Sequence, residues 1–138
     1  MTEPFKNFES RITAVQTLYS YYIQTQDSKE INTYRKTIKT KTNKNINQDF
    51  VIELVDTAIH NHDKIDSILE KNLDKHESVE KLMLLLRAIL RLALAEKYFF
   101  NTPDKVVINE YVKITTKFFD VEVAFVNAIL DRTFAVKK

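Results

Sequence analysis

Residues 105–113 read KVVINEYVK, and the fold turns on whether this stretch is a strand or the opening of a helix. Val106, Val107 and Ile108 stand in succession, and β-branched runs favour strands. Asn109 and Glu110 then break the apolar run. A strand would put Val107 and Asn109 on one face and Ile108 and Glu110 on the other, leaving neither face cleanly apolar. At about 100° per residue, however, Val107, Ile108, Tyr111, Val112, Ile114, Thr115, Phe118 and Phe119 fill one continuous arc of a helix. Asn109 and Glu110 fall just beyond its two edges, so the polar pair is expected to border a core. Thr102-Pro103 supports the same reading, as an N-cap candidate followed by proline at the first helical position.

Helical periodicity extends in both directions from this segment. Upstream, residues 78–99 are apolar almost all round, which predicts a central helix packed on several sides, with Ser78 as its N-cap. Downstream, Asp120 is placed to cap a last helix carrying Val121, Phe125 and Ile129. Phe50, Leu54 and Ala58, with Val51, Val55 and Ile59 on an adjoining stripe, predict a helix from about residue 49. Ile65, Ile68, Leu69 and Leu73 continue the pattern in a shorter one. Near the N-terminus Phe8, Ile12, Val15, Leu18, Tyr19 and Tyr22 share one face. Residues 27–47 are polar, with a short helix expected around residues 30–38. The expectation is an all-α bundle of six to seven helices without a sheet.

Composition narrows the function classes. The 138 residues suit one domain. There is no cysteine, so disulfides and thiolate metal sites are excluded. There is also no glycine, which excludes a Walker loop and a dinucleotide fingerprint and disfavours phosphate-cradling loops in general. The N-terminal residues lack the apolar core of a signal peptide. The most apolar stretch, residues 82–100, carries Arg87, Arg91, Glu96 and Lys97, and each central Arg or Lys costs about 2.5–3.5 kcal/mol in a bilayer. A cytoplasmic, non-membrane protein is expected. The net charge of +2 does not by itself announce a nucleic-acid binder, yet residues 31–48 hold five basic residues and no acid. That stretch reads as a solvated loop or as an electrostatic arm for a polyanion.

No catalytic or metal constellation emerges, and no cofactor is expected. His60 and His62 would lie about 200° apart on a helix and could not ligate from one face. No serine or cysteine nucleophile sits in a recognisable pattern. Glu96 and Glu110 are expected to cap helices or to pair with Arg87, Arg91 or Lys105. Arg87 and Arg91, spaced i,i+4, repel modestly unless carboxylates or a phosphate sit opposite, and an internal carboxylate partner is the simpler expectation. Arg11 lies within the apolar arc of the first helix, where two roles fit: snorkelling at the helix end, or holding a phosphate.

With the helices placed, the chain resembles the NusB family of bacterial transcription antitermination factors. The resemblance is carried by RAILRLALAE at residues 87–96, PDKVVINEYVKITTKFF at 103–119, FVNAILDR at 125–132 and AVQTLYS at 14–20. It implies a bundle of two small helical subdomains, near residues 1–62 and 63–138, and a protein that is not an enzyme. It further implies binding to the boxA element of ribosomal RNA transcripts together with the ribosomal protein NusE, and through that pair an association with RNA polymerase. Carried over by motif, the RNA-contact set would be Lys6, Arg11, Phe125 and Asn127, and the partner contacts Tyr19 and Leu86. Arg11→Glu is accordingly expected to weaken RNA binding and leave the fold intact.

The departures from the family pattern are specific. An arginine cluster is usual at the first helix, but KNFESR at residues 6–11 keeps only Lys6 and Arg11. Fewer phosphate contacts would mean weaker, less salt-sensitive binding. Phe118-Phe119 replaces a glycine-containing turn before the last helix, Val126-Asn127-Ala128 replaces a glycine-containing segment within that helix, and Leu86 stands where an acidic residue can occur.

Overall fold

The computed structural model describes residues 7–24 and 46–135. Lys6, the expected helix at residues 30–38 and the basic stretch at 35–44 lie outside the described residues. Among the described residues six α-helices follow one another: α1 (Phe8–Gln24), α2 (Gln48–His60), α3 (His62–Asn72), α4 (Leu84–Phe99), α5 (Asp104–Phe118) and α6 (Glu122–Ala135). A 3-10 turn, Val79–Lys81, joins α3 to α4. No strand occurs among the described residues, and no helix among them is long and apolar enough to cross a membrane.

The central helix is α4, which packs against α1, α2, α3, α5 and α6. Its leucines and alanines are strong helix formers, and residues 88–96 are all buried. It starts at Leu84 and not at Ser78. Ser78 precedes the 3-10 turn instead, and makes no side-chain cap there. Leu82 and Met83 are extended, with ψ of 149° and 145°. Arg87 folds back to donate to the carbonyls of Leu82 at 3.1 Å and Glu80 at 3.3 Å, which holds the entry to the helix.

In a chain without glycine, another residue must supply the left-handed turn that often ends a helix. Asn101, φ 57°, does so after α4, and asparagine is among the residues that tolerate this region best. The Thr102 N–H then reaches the Glu96 carbonyl at 3.4 Å. Asn47 caps α2, its side chain accepting from the Phe50 N–H at 3.1 Å, while its own N–H donates to Ser10 Oγ at 2.8 Å. That bond ties the start of α2 to α1. Between α2 and α3, Asn61 ends the first helix by donating its N–H and Nδ2 to the Thr57 carbonyl, at 3.0 and 2.9 Å.

The segment 105–113 is helical, within α5. Asn109 is exposed, as the helical arc requires, but Glu110 is buried at 7% exposure. Thr102 does not cap α5. Its hydroxyl donates to Glu96 Oε2 at 2.9 Å, and Pro103 occupies the cap position. Ala14, Val15 and Leu18 of α1, Leu54 and Val55 of α2, Ile89 and Leu92 of α4, Ile114 of α5 and Leu130 of α6 belong to one contiguous apolar cluster. Each fully buried valine, leucine or isoleucine of this kind contributes about 1.5–3 kcal/mol.

Candidate nucleic-acid and partner interface

The most polar feature of the interior is built around Arg11. Nε of Arg11 donates to Glu96 Oε1 at 2.8 Å and NH1 donates to Glu110 Oε1 at 3.3 Å, while NH2 pairs with Glu96 Oε2. Tyr111 donates its hydroxyl to Glu96 Oε1 at 2.9 Å, so with Thr102 every oxygen of the Glu96 carboxylate is engaged. Arg11, Glu96 and Tyr111 are all 0% exposed. Burial opposes the charge on Arg11, but the hydrogen bonds and negative charge of Glu96 outweigh it and hold the guanidinium above its ordinary pKa. Tyr111 is driven well above the usual phenol value, first by burial and then by the charge of Glu96.

This geometry corrects several sequence-based expectations. Arg11 neither snorkels nor presents itself to a phosphate; its guanidinium is enclosed by two carboxylates of the same chain. Glu96 and Glu110 converge on Arg11 and not on Arg87, Arg91 or Lys105. Glu110 therefore turns inward from the edge of its helical arc. Arg11→Glu would bring three carboxylates together in the core, so an intact fold is no longer the expected outcome.

Arg91 does have an internal carboxylate partner. Its Nε and NH2 donate to the two oxygens of Asp66 at 2.8 and 2.7 Å, a bidentate pair joining α4 to α3. The guanidinium lies over the Tyr22 ring at 5.2 Å from the centroid. Arg87, by contrast, uses backbone carbonyls. His60 and His62 fall on separate helices, with His60 Nδ1 donating to the Asp56 carbonyl at 2.8 Å and His62 beside Asp63. Among the described residues no group of three or more His, Cys, Asp or Glu is placed to hold a metal.

The remaining sequence-predicted site residues differ in exposure. Phe125 is half-buried in the first turn of α6, and Asn127 on the next turn is exposed. Tyr19 of α1 is half-buried against the core. Leu86 is only 4% exposed and belongs to the apolar core, so it offers little surface to a partner; its position in the first turn of α4 points it inward.

One surface feature has no counterpart in the sequence reading. Lys113 Nζ stands 4.6 Å from the Phe8 ring centroid and Lys117 Nζ stands 6.0 Å from the same centroid. Both lysines are exposed and Phe8 is half-buried. They lie i,i+4 on α5, a spacing visible in KITTK at residues 113–117. Their convergence on Phe8 depends on how α1 crosses α5, and that was not visible. The short turn at residues 119–121 sets the last turn of α5 beside the first turn of α6, where Phe125 sits.

Known proteins share both the sequence pattern and the arrangement of helices. The NusB protein of Rickettsia akari (strain Hartford), a transcription antitermination protein, is 33% identical over 142 residues, covering 94% of this chain and 90% of its own. The corresponding protein of Rickettsia bellii (strain OSU 85-389) is 31% identical over 134 residues, covering 89% and 86%. The structure of T. maritima NusB has a TM-score of 0.78 at 22% identity, covering 96% of this chain and 92% of that one, and shares the fold. A chain in the crystal structure of the antitermination factors NusB and NusE in complex with double-stranded RNA has a TM-score of 0.77 at 28% identity, covering 96% and 98%. The NusB family model itself matches residues 9–134, from the first turn of α1 to the end of α6. Fold and sequence thus agree along nearly the whole chain, and it belongs to the NusB family.

Proposed function

We propose that this protein is a transcription antitermination factor that binds boxA-type RNA together with a NusE-type ribosomal protein, and through that pair joins the transcribing RNA polymerase. The observation that carries the reading is the near-complete overlap, 96% of this chain, with a chain of the NusB–NusE–RNA complex at 28% identity. On this reading the protein is not an enzyme and works in the cytoplasm. Its RNA surface includes Phe125 and Asn127 at the start of α6, and its partner surface includes Tyr19 on α1. Exposed aromatic and basic groups suit RNA, because bases stack on rings while cations neutralise phosphates. Arg11 supports this surface only indirectly, by fixing α1 to α4 and α5.

The test is binding to a boxA-like single strand, and to a duplex of the same sequence, with and without the NusE-type protein, at two salt concentrations. The reading expects binding that is strengthened by the partner and weakened by salt. A stable protein pair that ignores both RNAs would overturn it in favour of a protein-interaction module. The enclosure of Arg11 favours that second reading, because it removes one cation from the RNA surface.

A further inference from the structure

We infer that Lys113 and Lys117 of α5, gathered over the Phe8 ring of α1, form a phosphate-binding seam for RNA that stands in for the sparse cations of the first helix. The inference rests on the RNA-binding reading above and names residues that reading does not use. Two ammonium groups at i,i+4 repel each other, yet both lean toward one aromatic ring, at 4.6 and 6.0 Å from its centroid. The ring face attracts each cation and draws the two side chains together. Lys113 also lies 3.5 Å from Glu110 Oε2, but the other oxygen of that carboxylate already accepts from Arg11. Among the described residues no carboxylate pairs with Lys117. Two carboxylates, Glu96 and Glu110, thus face three cations, Arg11, Lys113 and Lys117, and among the described residues the seam keeps an excess of positive charge, exposed to solvent at Lys117.

Charge complementarity identifies the occupant as successive phosphates of an RNA strand. The seam lies at the end of α5 that turns into α6. A strand stacking a base on Phe125 would therefore have cations within the same end of the bundle. Phe8 acts as a positioning residue: it touches the ammonium groups and holds them together, and it is the lysines that meet phosphate.

The experiment compares wild type, the double variant Lys113→Gln/Lys117→Gln and the charge-keeping Lys113→Arg/Lys117→Arg, each with the NusE-type protein present. The probes are a boxA-like single strand and a scrambled strand of equal length, each titrated over a range of salt. Both lysines are exposed, so the variants should fold, and circular dichroism checks this. The glutamine variant is expected to bind both strands roughly tenfold more weakly, and its salt slope to fall by about 1.4, near 0.7 per lost phosphate contact. The arginine variant should retain affinity and slope. Unchanged affinity and slope in the glutamine variant, with wild type binding normally, would overturn the seam and leave the antitermination reading standing. Wild-type protein that binds neither strand would overturn both.

Discussion

Arg11 on the first helix and Glu96 on the fourth are 85 positions apart in the chain, and they meet through two hydrogen-bonded contacts with neither side chain exposed. Breaking a buried pair by removing one partner costs about 3–5 kcal/mol, because an uncompensated charge stays in the interior. Arg11→Met is therefore expected to lower stability by that amount in urea denaturation followed by helical circular dichroism. Arg11→Glu should fail to fold at room temperature. A loss below about 1 kcal/mol for Arg11→Met would mean that the pair is not enclosed.

Tyr111 couples the same cluster to alkaline pH. Its folded pKa is raised, so the folded state keeps the phenol protonated where the unfolded chain, titrating near about pH 10, loses the proton. The stabilisation is fully present below that value and is lost as pH rises toward the folded pKa. Tyr111→Phe removes the hydrogen bond to Glu96 and should cost about 1 kcal/mol at neutral pH. It should also lose stability less steeply above about pH 10, by up to about 1.4 kcal/mol per pH unit. Parallel stability curves for the two proteins across the alkaline range would contradict this.

Asp66→Ala leaves the Arg91 guanidinium, at 9% side-chain exposure, without its bidentate partner. The expected loss is about 2–3 kcal/mol, smaller than at Arg11 because Asp66 is 23% exposed and water can reach the site. Combining Asp66→Ala with Arg91→Met should recover part of the loss. A double-mutant cycle with no coupling would show that the pair contributes nothing specific.

Asn101, at φ 57°, occupies the one left-handed position among the described non-glycine residues. Asn101→Gly should be neutral or slightly stabilising, whereas Asn101→Val should cost about 1–2 kcal/mol because its β-branch clashes in that region. Thermal melts of the two variants separate these outcomes. Equal melting temperatures would argue that the turn does not require the left-handed conformation.

Phe125→Leu keeps apolar volume for the core but removes the flat ring. Base stacking on an aromatic is worth about 1–3 kcal/mol, so RNA affinity should fall roughly fivefold to a hundredfold while the melting temperature changes little. Tyr19→Ala should instead weaken the NusE-type partner and leave the affinity of the protein alone for RNA unchanged. If Phe125→Leu bound RNA as well as wild type, the start of α6 would not be the stacking surface.

The sequence carried the helices well because their signals are local. The period in Phe8–Gln24 and in Asp104–Phe118 follows from neighbours three and four residues apart, and the helix period needs no knowledge of the rest of the chain. Boundaries were less legible. Ser78 has the chemistry of an N-cap, yet α4 waits until Leu84 because Arg87 and the 3-10 turn use the intervening backbone. Thr102 likewise has cap chemistry, but a buried carboxylate competes for its hydroxyl and wins.

The interface was legible only in part. Motif alone singled out Phe125 and Asn127, and both reach the surface to some degree. It also singled out Arg11 and Leu86, which are enclosed. A motif records which residues recur together and not whether they recur for the core or for a ligand. Lys113 and Lys117 went unremarked because two exposed lysines on a helix look like solvated charge until Phe8 is seen beside them.

By itself, then, the sequence determined an all-helical chain without glycine turns, cysteine chemistry or a phosphate loop, and a family pattern running along nearly all of it. Only the tertiary structure decided which charges face inward. Helix periodicity sets the angle of a side chain about its own axis, but burial depends on what another helix brings opposite. Glu110 sits at the edge of its own arc and became interior because α1 delivers Arg11 to it from 99 positions away. Lys113, one turn further along on the same helix, remained exposed because α1 presents it with a phenylalanine ring and solvent.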